Sequence, residues 1–145
     1  MLATAIARHL AATVFGLTFN PAGPGGNVFV AHMPPAPDVA VAVMPAGGDW
    51  QPDRTGHDIP AIQIIVRGAP HDPHGSFEAA RAIYSELTGL GPAVLDPGGP
   101  DEVFLIGATA VQSAPVPLGP DGNDRPEWSL NFRCHIHAPT VHRSA

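Results

Sequence analysis

Trp128-Ser129-Leu130-Asn131-Phe132-Arg133-Cys134-His135-Ile136-His137 alternates apolar and polar residues without a break. Successive side chains on a strand point to opposite faces. Trp128, Leu130, Phe132, Cys134 and Ile136 therefore share one face, and Ser129, Asn131, Arg133, His135 and His137 share the other. Burial of the first face places Trp128 and Phe132 in a core and leaves the histidines outside.

Working outward, Ala61-Ile62-Gln63-Ile64-Ile65-Val66-Arg67 is a second clear strand, with Ile62, Ile64 and Val66 on one face and Gln63 and Arg67 on the other. Asp101 to Val111 gives a third, in which Val103 and Leu105 stand opposite Phe104 and Ile106. Val28–Met33 and Val39–Met44 are shorter β-type runs on either side of Pro34-Pro35-Ala36-Pro37, and read as two strands joined by a proline-rich turn. Leu2, Ile6, Leu10 and Val14 repeat at helical spacing over about four turns. Phe77, Ala80, Ile83, Tyr84 and Leu87 do the same, behind the capping candidates Asp72 and Ser76 and the helix-starting Pro73, with Gly89 as the stop. Strands that follow one another without crossover helices favour an antiparallel or mixed sheet. The expected fold is a single α+β domain over residues 1–145, two-layered, with both helices packed on one face of the sheet. Residues 45–60 and 113–126 read as long loops, and residues 138–145 as a flexible tail.

The composition narrows the function. The 145 residues include 13 acidic and seven basic ones, every basic one an arginine, for a net charge of −6. Nucleic-acid and anionic-membrane surfaces are held by runs of cations. No such run exists here, and no apolar stretch reaches the ~18–20 residues that span a bilayer. Met1–Phe15 has Arg8 and His9 in its middle and no charge in front, which is the wrong layout for a signal peptide. The 16 glycines and 18 prolines gather between the patterned segments.

Catalytic chemistry finds little support. His135 and His137 share a strand face, and His71, His74 and His142 lie in a turn and the tail; no helical His pair with an intervening glutamate exists. Alternation sends Cys134 and His135 to opposite faces, so they cannot form a nucleophile–base pair; Cys134 reads as a buried thiol. The glycine-rich turns lack the lysine and hydroxyl of a phosphate loop. Asp49, Asp53 and Asp58 miss the spacing of a calcium loop. The expectation is no catalytic residue, no metal and no cofactor. Exposed loop tips on a rigid sheet are instead typical contact surfaces. The candidate contact residues are Trp50, Asp53 and Arg54 in the first loop and Leu118 and Asp121 in the second.

Several segments in order carry a family resemblance: Met33-Pro34-Pro35-Ala36-Pro37-Asp38-Val39-Ala40-Val41, Asp58-Ile59-Pro60-Ala61-Ile62-Gln63-Ile64-Ile65-Val66-Arg67-Gly68, Ala80-Arg81-Ala82-Ile83-Tyr84-Ser85-Glu86-Leu87-Thr88-Gly89-Leu90, Leu118-Gly119-Pro120-Asp121 and Arg125-Pro126-Glu127-Trp128-Ser129-Leu130-Asn131-Phe132. In these the chain resembles the tail terminator proteins of long-tailed bacteriophages, including the group often labelled phage minor capsid protein. The His-rich end after Arg133 and the Gly/Pro-rich linkers depart from the pattern.

The resemblance implies a structural virion protein without enzymatic activity. Such proteins form a homo-hexameric ring at the head-proximal end of the tail, stop tube polymerisation and offer the surface that joins the neck. The implied partners are further copies of the chain, the tail tube protein and a neck or head-completion protein. DNA would pass through the lumen without specific binding, no membrane is involved, and the place is the tail–neck junction of a virion assembled in the host cytoplasm. The competing expectations are another neck component, such as a head-completion or connector-adaptor protein, and a small metalloenzyme using His135, His137 and a third ligand.

Overall fold

The computed structural model describes residues 1–50 and 54–143. Two helices, α1 (Leu2–Thr13) and α2 (Pro73–Leu87), accompany the strands β1 (Val28–Val30), β2 (Ala40–Asp49), β3 (His57–Arg67), β4 (Ala93–Leu95), β5 (Val103–Ala110), β6 (Val116–Pro120) and β7 (Pro126–His137). The strands make one mixed sheet in the order β1-β2-β3-β7-β5-β4, with β6 also paired to β7. The expected α+β architecture is the observed one.

The strand of unbroken alternation, β7, is the centre of the sheet. It pairs antiparallel with β3 along one side, and with β6 and then β5 along the other. Its apolar face continues in rows across the neighbours: Val41, Val66 and Trp128; Val43, Ile64 and Leu130; Ile62, Phe132 and Ala110. These rows meet Ala3, Ile6, Ala7 and Leu10 of α1 and Ala80, Ile83 and Leu87 of α2 in one core cluster. Phe132, Leu130 and Ile64 are fully buried, each contributing about 1.5–3 kcal/mol of apolar burial. Trp128 is on the expected face but at its margin: it is half-buried, donates from Nε1 to Ser76 Oγ at 2.8 Å, and meets Phe77 edge-on at 5.1 Å. A tryptophan at a rim keeps its N–H satisfied while its ring is packed.

α2 begins as the sequence predicts, with Asp72 accepting from the Gly75 N–H at 3.0 Å and Pro73 at the first turn. Three local features differ from expectation. First, β1 and β2 are parallel, with Val28 opposite Val41 and Val30 opposite Val43. Residues 31–39 are therefore a crossover and not a turn, because a parallel neighbour requires the chain to return across a sheet face. Second, the 45–60 segment is mostly strand. β2 runs on to Asp49 and β3 starts at His57, making a hairpin arm whose register shifts between Pro45 and Gly48. Gly48 has φ +128, and a Cβ there would collide with the Ile59 carbonyl, so the bulge requires glycine. Third, the 113–126 segment contains β6 despite Pro117 and Pro120. β6 pairs on one side only, where prolines are tolerated.

Candidate assembly surface

The sheet face away from the helices carries Ala40, Ala42, Gln63, Ile65, Arg67, Ser129, Asn131, Arg133 and His135. Ala40 and Ala42 are fully buried yet lie outside the main core cluster. The 31–39 crossover is held at this face, beside Arg67. Two arginines fasten it. Arg67 donates from Nε to Asp38 O at 2.9 Å and from Nη2 to Pro37 O at 2.6 Å. Arg125 donates from Nη1 to Pro35 O at 2.6 Å, lies 3.2 Å from Asp38 Oδ1, and pairs through Nε with Asp121 Oδ2 at 2.8 Å. Prolines offer carbonyl acceptors without N–H donors, and guanidinium offers donors without acceptors, so the two match. Both arginines are almost wholly buried, at 3% and 5% exposure. Burial first, and the neighbouring Arg125 charge second, pull the Arg67 pKa below the ordinary guanidinium value.

Asp121 thus occupies a structural position. Partial burial opposes its charge, but the amides of Arg125 and Asn123 and the Arg125 guanidinium outweigh this and hold its carboxyl below the usual range. Leu118 stands on β6 at 50% exposure, beside the exposed Val116. Trp50 follows β2 at the end of the arm, 83% exposed. It borders a shallow groove of about 440 Å³ together with Leu2, Gly48, Ile59 and Ile136. Arg54 is exposed on the returning side of the arm, and Asp53 lies outside the described residues. The structure therefore groups Trp50 and Arg54 on the arm and places Leu118 and Asp121 on and beside β6.

The remaining acids of the first loop are tied to arginines. Asp49 accepts from Arg133 Nε at 3.0 Å, and Asp58 accepts from Arg143 Nη1 at 2.6 Å. Among the described residues no group of three or more His, Cys, Asp or Glu side chains is arranged around a common metal position. Cys134 is buried, and desolvation pushes its thiol up to about 11. A thiol so placed is a poor nucleophile at neutral pH. No helix among the described residues is long and apolar enough to cross a membrane.

Sequence reasoning missed a second apolar surface. Val94 on β4 is the register partner of Phe104 on β5, and both are exposed, as is Ile106. The signal was present in Val103-Phe104-Leu105-Ile106, whose two faces are both apolar and therefore both want cover. The arm and this patch share one end of the sheet, because His57 near the arm's tip is opposite His137, and His137 is opposite Phe104. They lie towards opposite edges of it.

A family model described as "Bacteriophage tail terminator protein" matches residues 12–137. Among solved structures, a chain of "Virion of native gene transfer agent (GTA) particle" shares the fold with a TM-score of 0.58 and 20% sequence identity, over 94% of this chain and 95% of that one. No curated protein sequence matches.

Proposed function

The chain belongs to the bacteriophage tail terminator family, and from that premise we propose that it is the subunit of a homo-hexameric ring that caps the tail tube, stops its polymerisation and presents the joining surface to the neck. It is a structural protein of the phage tail; the ring, its partners, its seat at the tail–neck junction and assembly in the host cytoplasm are the proposal. We take its role to be non-catalytic. The buried Cys134 and the arginine-paired acids favour that reading.

One observation carries the ring. A closed ring is built from a heterologous interface, which needs two different surfaces on each subunit. The β2–β3 arm with Trp50 and the Val94–Phe104–Ile106 patch are two such surfaces, towards opposite edges of the same end of the sheet. Tryptophan is a frequent anchor in interfaces of this kind. Leu118 and Val116 on β6 give a further apolar rim for the tube or neck protein. The net charge of −6 suits a lumen through which DNA passes without being held.

The test is to add purified chain to polymerising tail tube protein and image the product by electron microscopy. Tubes of arrested length with a ring at one end are expected. Uninhibited tube growth with a chain that stays monomeric would overturn the reading. A label found elsewhere in the neck of intact particles would assign it to another neck component.

A further inference from the structure

We propose that His57 and His135 form a binding site for one divalent transition-metal ion of the imidazole-preferring kind, such as zinc or nickel, clipping β3 to β7. The sequence shows His135 and His137 on one strand, but not which residue faces them. The fold brings His57, 78 positions away, to His135, with His57 Nε2 3.2 Å from His135 Nδ1 and the ring centroids 5.4 Å apart. Two imidazole nitrogens bound to one tetrahedral ion at about 2.0–2.1 Å stand roughly 3.3 Å apart. The nitrogen separation matches that of a chelated pair, while the centroid distance shows the rings nearly end-on; an ion is bound when the rings turn so that both lone pairs meet it and the proton between the nitrogens passes to the other nitrogen of its own ring.

The surroundings leave room for it. The β5 neighbour of His135 is Gly107, and a Cβ added there would meet nothing within 4 Å, so that flank is open. The nearby charges are accounted for. Arg133 faces Asp49, and Arg143, which also donates to the His57 carbonyl, is paired with Asp58. Neither guanidinium adds an uncompensated positive charge, and neither carboxylate competes as a ligand. With two protein ligands, the remaining coordination positions go to water, and affinity is modest.

The experiment is calorimetric titration of the tag-free chain with zinc chloride, and separately with nickel chloride, alongside His57→Gln, His135→Gln and His71→Gln. One ion per chain is expected for the parent and for His71→Gln, with affinity lowered at least tenfold in each of the other two. Cobalt chloride should give a visible absorption band that both site variants lose. Circular dichroism identifies a misfolded variant, in which case the other site variant decides. No binding up to millimolar ion, or binding that survives both site substitutions, would overturn the proposal.

Discussion

The two faces of β7 are made by the same residues in alternation, yet they solve different problems. On one face Leu130, Phe132 and Cys134 are buried in the same apolar cluster as residues of α1 and α2. On the other, Ser129 is buried by hydrogen bonds from Gln63 and Asn131, Arg133 reaches the arm, and His135 meets His57. The first face is satisfied by any close packing of the right volume. The second is satisfied only by named partners far along the chain, and it is the face that leaves surface for other molecules. Apolar packing and a polar network are thus written into one strand at a period of two.

Four perturbations separate these faces. Phe132→Ala removes a fully buried ring from the helix side and is expected to cost about 3–5 kcal/mol in a denaturant melt; a loss below ~1 kcal/mol would place the core elsewhere. Arg125→Ala, on the other side, takes the guanidinium from Asp121 Oδ2 and from the Pro35 carbonyl, while the backbone amides of residues 123 and 125 still reach Asp121 Oδ1. It should cost about 3 kcal/mol, the lower end for a broken buried pair because Asp121 reaches solvent. Trypsin sensitivity near Arg67 should rise with it, as the crossover loosens.

Cys134 allows a pH test of the sealed face. Its thiol is raised from 9.0 to about 11, so the folded state keeps a proton that the unfolded chain releases. The stabilising effect is complete below pH 9 and is lost as pH rises through 11, by about 3 kcal/mol in all. The chain has no lysine and one tyrosine, so little else ionises in that window. Cys134→Ala should flatten the slope of stability against pH there. The smallest effect on folding belongs to Trp50→Ala, within about 0.5 kcal/mol, while ring formation on tail tube protein should fail. If instead the isolated chain melts earlier, Trp50 packs on its own subunit.

The contrast also explains what could be read from the sequence. The helix-facing residues announce themselves by periodicity, so the core of Ile62, Ile64, Leu130 and Phe132 and both helices are legible in the amino-acid pattern alone. The parallel pairing of β1 and β2 is not. A run of prolines serves a turn as well as a crossover, and what selects the crossover is Arg67 and Arg125, 30 and 90 residues from their carbonyl partners. β6 was hidden by Pro117 and Pro120, which are acceptable only because one side of the strand is unpaired. The arm was hidden by Gly47 and Gly48, which read as loop but form a bulge. His57 and His135 could not be paired without the register of β3 on β7. The exposure of Trp50 and Arg54 could be read because exposure of a loop tip is a local property; that of Val94, Phe104 and Ile106 needed the sheet edge.

The place of β7 at the middle of the sheet has a consequence for synthesis. A nascent chain that has emerged as far as residue 125 holds the β2–β3 and β4–β5 hairpins with no strand between them. Each shows the ribosome's surroundings an unpaired edge of the kind that attracts other strands. The keystone arrives only with residues 126–137, and until then neither half of the sheet can close on the other. Translation speed and chaperone supply over that interval should therefore govern yield, and C-terminal truncations that enter this strand should produce aggregate where loss of the tail beyond it does not.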